Sequence, residues 1–451
     1  MEDFRNRRIS VIGAARSGLS AARILVELGA DVLLSDGKTA AQLGPLRVAE
    51  IEETGAMFVL GASPTQAIPD GTELVVTSPG VPRNAPVLLE AVGRNIPIWS
   101  EIELAYRITD APIVAVTGTN GKTTTVLLIA AMLDAAGIPN TVCGNVSADE
   151  IKRSLTDAAF AARNLSGSEK PVLVAEVSSF QLEWVHEFRP KVGVLTNITP
   201  DHLDRYDSFQ DYAATKGRLF AAQTPDDWAI VNRGEESAIE SNQLTAQVKD
   251  GLIEIDLKTG VCSRAIMNVA DFPLTLPGKH SIENVLAAAS TALIMGASAE
   301  AIADAVRNFG GVAHRMEFVR EMDGVRYINN SMCTNPAAAA SSLLALDRPA
   351  IVIMGGADKG LDFQFIAERL KAKAKRVILI GSAADKLEAV FRAGGYDAIS
   401  RAGTLENAVT MARQFARPGD TIILSPACAS FDMFRDFEER GAIFRRIVHD
   451  L

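Results

Sequence analysis

Lys122 and Thr123 stand just after Gly118 and Gly121 in the run Ile113–Thr125, IVAVTGTNGKTTT, which reads as an apolar strand, a glycine-rich turn and a helix opening on hydroxyl residues. Parts in that order can hold a nucleoside triphosphate. The two glycines allow a turn tight enough for successive N–H groups to point at phosphate oxygens, and the helix running toward Gly137 adds its positive dipole end. Lys122 supplies a point charge for the outer phosphates and Thr123 a hydroxyl for Mg²⁺. Gly118, Thr119, Asn120, Gly121, Lys122, Thr123 and Thr124 are therefore the expected triphosphate contacts. A full Walker pattern would have a glycine where Val116 stands, so TGTNGKT is a shortened relative of that loop.

Three more residues invite chemistry. Glu176 ends the otherwise apolar stretch VLVAE, where an unpaired charge would cost several kcal/mol, so it needs a cation: a metal shared with Thr123, or an Arg or Lys elsewhere. His202, between Asp201 and Asp204 in NITPDHLDRY, follows a strand and is either a metal or phosphate ligand or an ordinary satisfied histidine. Lys216 in DYAATKGRLF reads by itself as a solvated helix lysine.

The elements that must position these residues fall into three blocks of alternating strand and helix patterns, an α/β chain throughout. The first opens with a strand Arg8–Ile12, a turn GAARSG, a helix to Gly29 and a strand Val32–Ser35 followed by Asp36. Ala15 occupies the second glycine position of a dinucleotide fingerprint, which hinders close approach of a pyrophosphate and counts against an ordinary NAD site. A strand Leu74–Thr77 ends in Ser78-Pro79-Gly80 at the same expected sheet edge. The two turns suggest a pocket for another phosphorylated ligand; a purely structural βαβ unit is the competing reading. The second block begins near Glu101 and carries strands at Val172–Val177, Val192–Leu195 and Trp228–Val231. The third, after Gly311, has strands at Ile351–Met354, Val377–Ile380 and Thr421–Leu424 and reads as another doubly wound domain. The expected division is 1–100, 101–311 and 312–451.

Composition narrows the class. A chain of 451 residues exceeds what one core usually organises. No stretch approaches the roughly 20 apolar residues of a membrane span, and the start MEDFRNRRIS has no apolar signal core, so a cytoplasmic protein is expected. A net charge of -10 argues against a nucleic-acid groove. Cys143, Cys262, Cys333 and Cys428 lie far apart without a Cys-x-x-Cys pair, which speaks for reduced thiols over disulfides or zinc knuckles.

TGTNGKT, EVSSFQLE, NITPDHLDRY, GGVAHRME and SPACASFDMFRDFEERG occur together in order, and with them the chain resembles the Mur ligases over nearly its whole length. The resemblance implies a Rossmann-like N-terminal domain binding a UDP-linked substrate, a central P-loop-type ATPase domain with a mostly parallel sheet, and a Rossmann-like C-terminal domain for the incoming amino acid. The implied reaction is ATP-dependent addition of glutamate to UDP-N-acetylmuramoyl-L-alanine through an acyl phosphate. Thr123 and Glu176 would hold one Mg²⁺, and His202 with a carbamylated Lys216 a second; carbamylation turns a repelling cation into an oxygen ligand. Lys122, Glu176, His202 and Lys216 are the implied catalytic set. Asn284 would lie at the adenine, Arg315, next to His314, would reach the ATP phosphates on domain closure, and Asn330 would lie near the ribose. Arg16, Ser17, Asp36 and Ser78 would hold the uracil end of the UDP-substrate, and Asn145 and His202 its muramoyl part. Thr334, Lys359, Ser430 and Phe437 would receive the amino acid. A monomer is expected, with UDP-N-acetylmuramoyl-L-alanine and glutamate as its substrates and no nucleic acid.

Residues 329–335, NNSMCTN, depart from the family's Asn-Asp-Ser-Lys-Ala-Thr-Asn. Asn330 replaces an aspartate but can still hydrogen bond to a hydroxyl, whereas Met332 cannot replace a lysine ammonium. D-glutamate is the default amino acid, with L-glutamate or another acidic residue as alternatives. A folate-type glutamate ligase would share the nucleotide loop but has less reason for the N-terminal block. A nicotinamide oxidoreductase is favoured by the first βαβ unit alone, and a non-catalytic ATP-binding protein would release no phosphate.

Overall fold

Three runs of hydrophobic strands build three separate sheets in the computed structural model, which describes residues 2–146, 153–199, 201–202, 205–232, 252–256, 261–262, 279–309, 311–344, 346–358 and 360–451. The first sheet is parallel, order β3-β2-β1-β4-β5, from β1 (Arg8–Ile12), β2 (Asp31–Asp36), β3 (Met57–Leu60), β4 (Leu74–Thr77) and β5 (Ile98–Ser100). The second has the order β12-β11-β10-β9-β6-β8-β7 and comprises β6 (Ile113–Thr117), β7 (Asn140–Gly144), β8 (Val172–Glu176), β9 (Val192–Leu195), β10 (Trp228–Asn232), β11 (Leu252–Asp256) and β12 (Val261–Cys262). Among the described residues only its edge pair, β11 with β12, is antiparallel. Strands such as β6 (IVAVT) and β8 (VLVAE) are buried along their full length, as parallel strands covered by helices on both faces must be.

The chain divides into two compact units, Met1–Phe309 and Gly310–Leu451. The first two blocks thus form one unit with two sheets, where the sequence pattern suggests two independent interiors. The reason is a shared core. Helices Glu101–Ile108 and Leu155–Ala162 pack on each other and on the first sheet's helix Arg16–Glu27, so that Ile24, Ile102, Leu155 and Leu173 lie in one apolar cluster. Alternate residues of β6 point into different cores: Ile113 and Ala115 join this cluster, and Val114 and Val116 join another with Val126, Ile129 and Met132 of helix Lys122–Ala135. Glu103 secures the first of these helices from inside. Fully buried, it accepts N–H bonds from His186, Glu187 and Phe188 (2.9–3.1 Å) and pairs with Arg107 at 2.8 Å.

In the second unit one mixed sheet runs β13-β14-β18-β15-β16-β17, from β13 (Glu317–Met322), β14 (Val325–Asn329), β15 (Ala350–Gly355), β16 (Ala374–Ile380), β17 (Ile399–Arg401) and β18 (Thr421–Leu424). Only β13 is antiparallel to its neighbour, and apolar clusters cover both faces. Among the described residues no helix is long and apolar enough to cross a membrane.

Candidate active site

The glycine-rich turn leaves β6 between β9 and β8, at the carboxyl ends of the strands, where open parallel sheets form a crevice. Gly118 (φ +143°) and Gly121 (φ +88°) hold backbone conformations that other residues adopt only with strain, and a Cβ would lie 2.0 Å from Thr196 Oγ1 at the first and 2.3 Å from Asn284 Oδ1 at the second. Asn284, expected at the adenine, therefore sits directly against the loop, and its Oδ1 also accepts from Thr125 Oγ1 at 3.4 Å.

Two amides that the sequence reading assigns to phosphate have another partner. Thr119 N–H donates to Asn197 O (2.8 Å) and Asn120 N–H to Asn197 Oδ1 (2.9 Å), while Thr196 Oγ1 and Asn197 Nδ2 donate back to Asn120 O at 2.6 and 2.9 Å. Because β9 pairs with β6, the polar residues that end β9 lie alongside the turn and satisfy it. Lys122 Nζ turns onto the same loop, donating to Gly118 O and Thr119 O, both at 3.0 Å.

Thr123 Oγ1, in the first turn of the helix Lys122–Ala135, donates at 2.6 Å to Glu176 Oε2 at the end of β8, which places a hydroxyl and a carboxylate side by side. Glu176 is 4% exposed. Asn145 follows β7 and is exposed, its N–H bonded to Glu176 O at 2.9 Å. Lys216 departs from the solvated-lysine reading: at 2% exposure its Nζ donates to Gly118 O at 3.0 Å and lies 4.8 Å over the Tyr212 ring. Burial, and then the neighbouring Lys122 ammonium, hold its pKa well below the usual lysine range. Tyr212 in turn bonds Thr119 Oγ1 through its hydroxyl (3.1 Å), and burial pushes that hydroxyl up to about 12. His202 has left-handed backbone (φ +52°), lies edge-on to Phe180 with ring centroids 4.8 Å apart, and has Nε2 3.5 Å from Asp201 Oδ2. Asp204 lies outside the described residues.

Hard oxygens suit Mg²⁺, which is commonly held by one or two carboxylates with waters and substrate phosphates. The Thr123–Glu176 pair fits that requirement, Lys216 as an ammonium does not, and a His202 nitrogen is a poorer match. Among the described residues no three His, Cys, Asp or Glu side chains gather into a cluster that could hold a metal by themselves.

At the first sheet a cavity of about 490 Å³ opens between the turns after β1 and β4, lined by Gly13, Ala15, Asp36, Lys38, Ser78 and Gly80 among others. Asp36 is held by N–H bonds from Ala14 and Lys38, both 2.8 Å, and Ser78 Oγ donates to Gly13 O at 2.9 Å. Arg16 and Ser17 begin the following helix and do not line this cavity.

Within the second unit, the loop after β14 packs on the segment after β18. Ser331 Oγ donates to Phe437 O (2.7 Å), and Ala427 N–H to Cys333 O (3.0 Å). Thr334 is half-buried, Ser430 is buried, and Phe437 opens the helix Phe437–His449. Lys359 lies outside the described residues. Asn330, expected near a ribose, is 5% exposed and engaged at both ends, accepting from Met316 N–H (3.1 Å) and donating to Ser425 Oγ (3.2 Å). His314 is buried with Nδ1 2.9 Å from Asn329 Nδ2, and Arg315 beside it is half-buried.

Comparison with known proteins decides the family. Residues 116–292 match the Mur ligase middle domain, and residues 314–428 match the Mur ligase glutamate ligase domain. The chain is 44% identical over 470 residues to the UDP-N-acetylmuramoylalanine--D-glutamate ligase of Pelotomaculum thermopropionicum, covering 100% of this chain and 99% of that one. It is 38% identical to the enzyme of the same name from Thermoanaerobacter pseudethanolicus, with the same coverage. The chain belongs to the Mur ligase family. Its fold is also that of the UDP-N-acetylmuramate-alanine ligase of Thermotoga maritima (TM-score 0.57, 18% identity, 98% of this chain and 99% of that chain).

This Mur ligase is an ATP-dependent ligase. Its loop, Glu176, Asn145, Lys216 and Asn284 meet in the first unit as the motifs suggest, but several residues escaped the motif reading. Asn197 and Tyr212 hold the loop; Asn197 follows the end of β9 and Tyr212 lies in the helix Phe209–Gly217, four residues before Lys216. Arg440 was missed too. Fully buried, it donates to Ser331 Oγ and O and to Cys428 O and Ala429 O (2.8–3.3 Å), pinning both segments of the C-terminal site, and burial lowers its pKa to about 10. The FEERG ending of the last motif carries it. Cys143, Cys333 and Cys428 are free and buried.

Proposed function

We propose that this enzyme joins the amino group of glutamate, D-glutamate by default, to the carboxylate of UDP-N-acetylmuramoyl-L-alanine. ATP activates the carboxylate as an acyl phosphate, the amine displaces phosphate, and ADP is released. The observation that carries the reading is the Thr123–Glu176 contact of 2.6 Å beside Lys122, at a switch point of a parallel sheet. The naming of relatives that match this chain from end to end supports the choice of substrates.

Two anions must meet, so the site has to lower their repulsion; no enzyme nucleophile is needed. Lys122 exchanges its bonds to Gly118 O and Thr119 O for the outer phosphates. Thr123 and Glu176 hold Mg²⁺, which when bound supplies charge neutralisation between phosphates and carboxylate. A second ion would take His202 and Lys216, the latter only once carbamylation has replaced its ammonium by an oxygen ligand. The depressed pKa of Lys216 favours the neutral amine, the form that adds CO₂. Asn284 borders the adenine; Asp36 and Ser78 at the cavity, with Arg16 and Ser17 beside it, hold the uridine end, and Asn145 and His202 the muramoyl part. Arg315 contacts the phosphates, and Asn330 would reach a ribose only by releasing Met316 or Ser425. Thr334, Lys359, Ser430 and Phe437 receive the amino acid. We place the reaction in the cytoplasm, carried out by a monomer.

The test is phosphate release with ATP, Mg²⁺, the UDP-sugar acceptor and a panel of D- and L-amino acids, with the ligated product identified by mass. D-glutamate alone should give product, and Lys122→Ala should lower turnover by about 10²-fold or more. ATP consumption without a new amide, or product only with another amino acid, overturns the reading.

A further inference from the structure

Arg205 places its guanidinium where the first sheet meets the second. With a side chain 12% exposed, it forms a two-pronged pair with the buried carboxylate of Glu183, Nε to Oε1 at 2.8 Å and Nη2 to Oε2 at 2.7 Å. The same Nη2 donates to Val81 O at 3.0 Å, and the guanidinium carbon lies 4.1 Å from the centroid of the Phe180 ring. Neutralising Glu183 alone would need no more than an ammonium. A planar fork serves a carboxylate, a carbonyl and a ring face at once, which an ammonium cannot.

Each partner leads to a part of the site. Val81 lines the 490 Å³ cavity, and its N–H donates to Ser78 O at 3.0 Å in the turn after β4. Phe180 and Glu183 come from the EVSSFQLE stretch after β8, and Phe180 meets His202 edge-on at 4.8 Å. The backbone N–H of Arg205 donates to His202 O at 2.9 Å. Arg205 is therefore bonded to the cavity rim through its side chain and to the His202 turn through its backbone. Arg83 and Asp211 span the same two parts at 3.2 Å, but that pair lies at the surface, where ion pairs contribute little.

We propose that Arg205 is a positioning residue for the ligation, a buried brace that fixes the spacing between the cavity holding the uridine end of the acceptor and His202 at its muramoyl part. The inference rests on the function proposed above. An acceptor gripped at two places gains from both grips only when their spacing matches its length, and a small misplacement of its carboxylate lowers the rate steeply. UDP alone uses one grip and is indifferent to the spacing.

The test compares Arg205→Lys, which keeps a charge for Glu183 but cannot fork to Val81 O, with wild type in titration calorimetry and steady-state kinetics of the full chain. Because a lone buried carboxylate threatens folding, Arg205→Met combined with Glu183→Gln removes both charges together. Both variants should bind UDP-N-acetylmuramoyl-L-alanine about tenfold more weakly, bind UDP and ATP within about twofold of wild type, and show a lower kcat at saturating acceptor. Acceptor affinity within about twofold of wild type overturns the proposal. So does equal weakening of UDP and the full acceptor, which would make Arg205 a support of the cavity rim alone, and so does a joint loss of acceptor and ATP affinity, which would make it a support of the fold. Wild-type protein that binds no UDP-sugar would instead overturn the functional reading beneath it, and this inference with it.

Discussion

Glu176→Gln separates the demands of the fold from those of the metal. The substitution keeps an oxygen for the Thr123 hydroxyl, now 2.6 Å from Oε2, but removes the negative charge. Weakening a charge-assisted hydrogen bond to a neutral one costs about 1 kcal/mol, and relief from burying a carboxylate that is 4% exposed offsets it. The net change in stability should stay within about 1 kcal/mol, a melting shift of about 2–4 °C at most. Mg²⁺ affinity should respond far more strongly. At an effective dielectric constant of about 20, a unit charge near 4 Å from another is worth on the order of 4 kcal/mol, so losing one carboxylate should raise the half-saturating Mg²⁺ concentration by about 10²–10³-fold. Phosphate release measured against Mg²⁺ concentration, paired with thermal melts of the same preparations, reads both quantities. A half-saturation point within about threefold of wild type would refute the assignment of Glu176 to the metal, and a large drop in melting temperature would show that its charge serves the fold.

Two further substitutions probe the loop and the buried lysine. Gly121→Ala adds a Cβ 2.3 Å from Asn284 Oδ1 at φ +88°, so we expect a loss of about 2–3 kcal/mol from backbone strain and the displaced Thr125–Asn284 bond, read as a lower urea midpoint together with weaker ATP binding; an unchanged midpoint would contradict the strain. Lys216 has a folded-state pKa well below its unfolded value of about 10.4, so between the two the unfolded chain binds more protons and stability rises with pH, falling again as pH drops toward the folded value. In bicarbonate-free buffer, Lys216→Met should flatten the rise of the urea midpoint between about pH 7 and 10, and an unaltered slope would place the lysine in solvent.

Local sequence was enough for the parts whose geometry is set within a few residues. The strand, turn and helix of IVAVTGTNGKTTT follow from apolar burial, positive-φ glycines and a helix start, and β1, β4, β9 and β18 were legible as bounded apolar runs. Strands such as β5 (IWS), β7 (NTVCG) and β17 (ISR) were not, because they lack an uninterrupted apolar run of four residues. Tertiary structure alone decided the order of strands, the core shared by the first two sheets, and the state of each ionisable side chain. Lys216 looks like any helix lysine until Gly118, Lys122 and Tyr212 close around it. Glu101 and Glu103 are indistinguishable in the string EIE, yet one accepts from Gln181 and the other from three backbone amides and Arg107. The physical reason is range: backbone conformation responds to neighbours along the chain, whereas desolvation, hydrogen-bond satisfaction and charge proximity depend on residues 80 or 100 positions away that only folding brings within 3 Å.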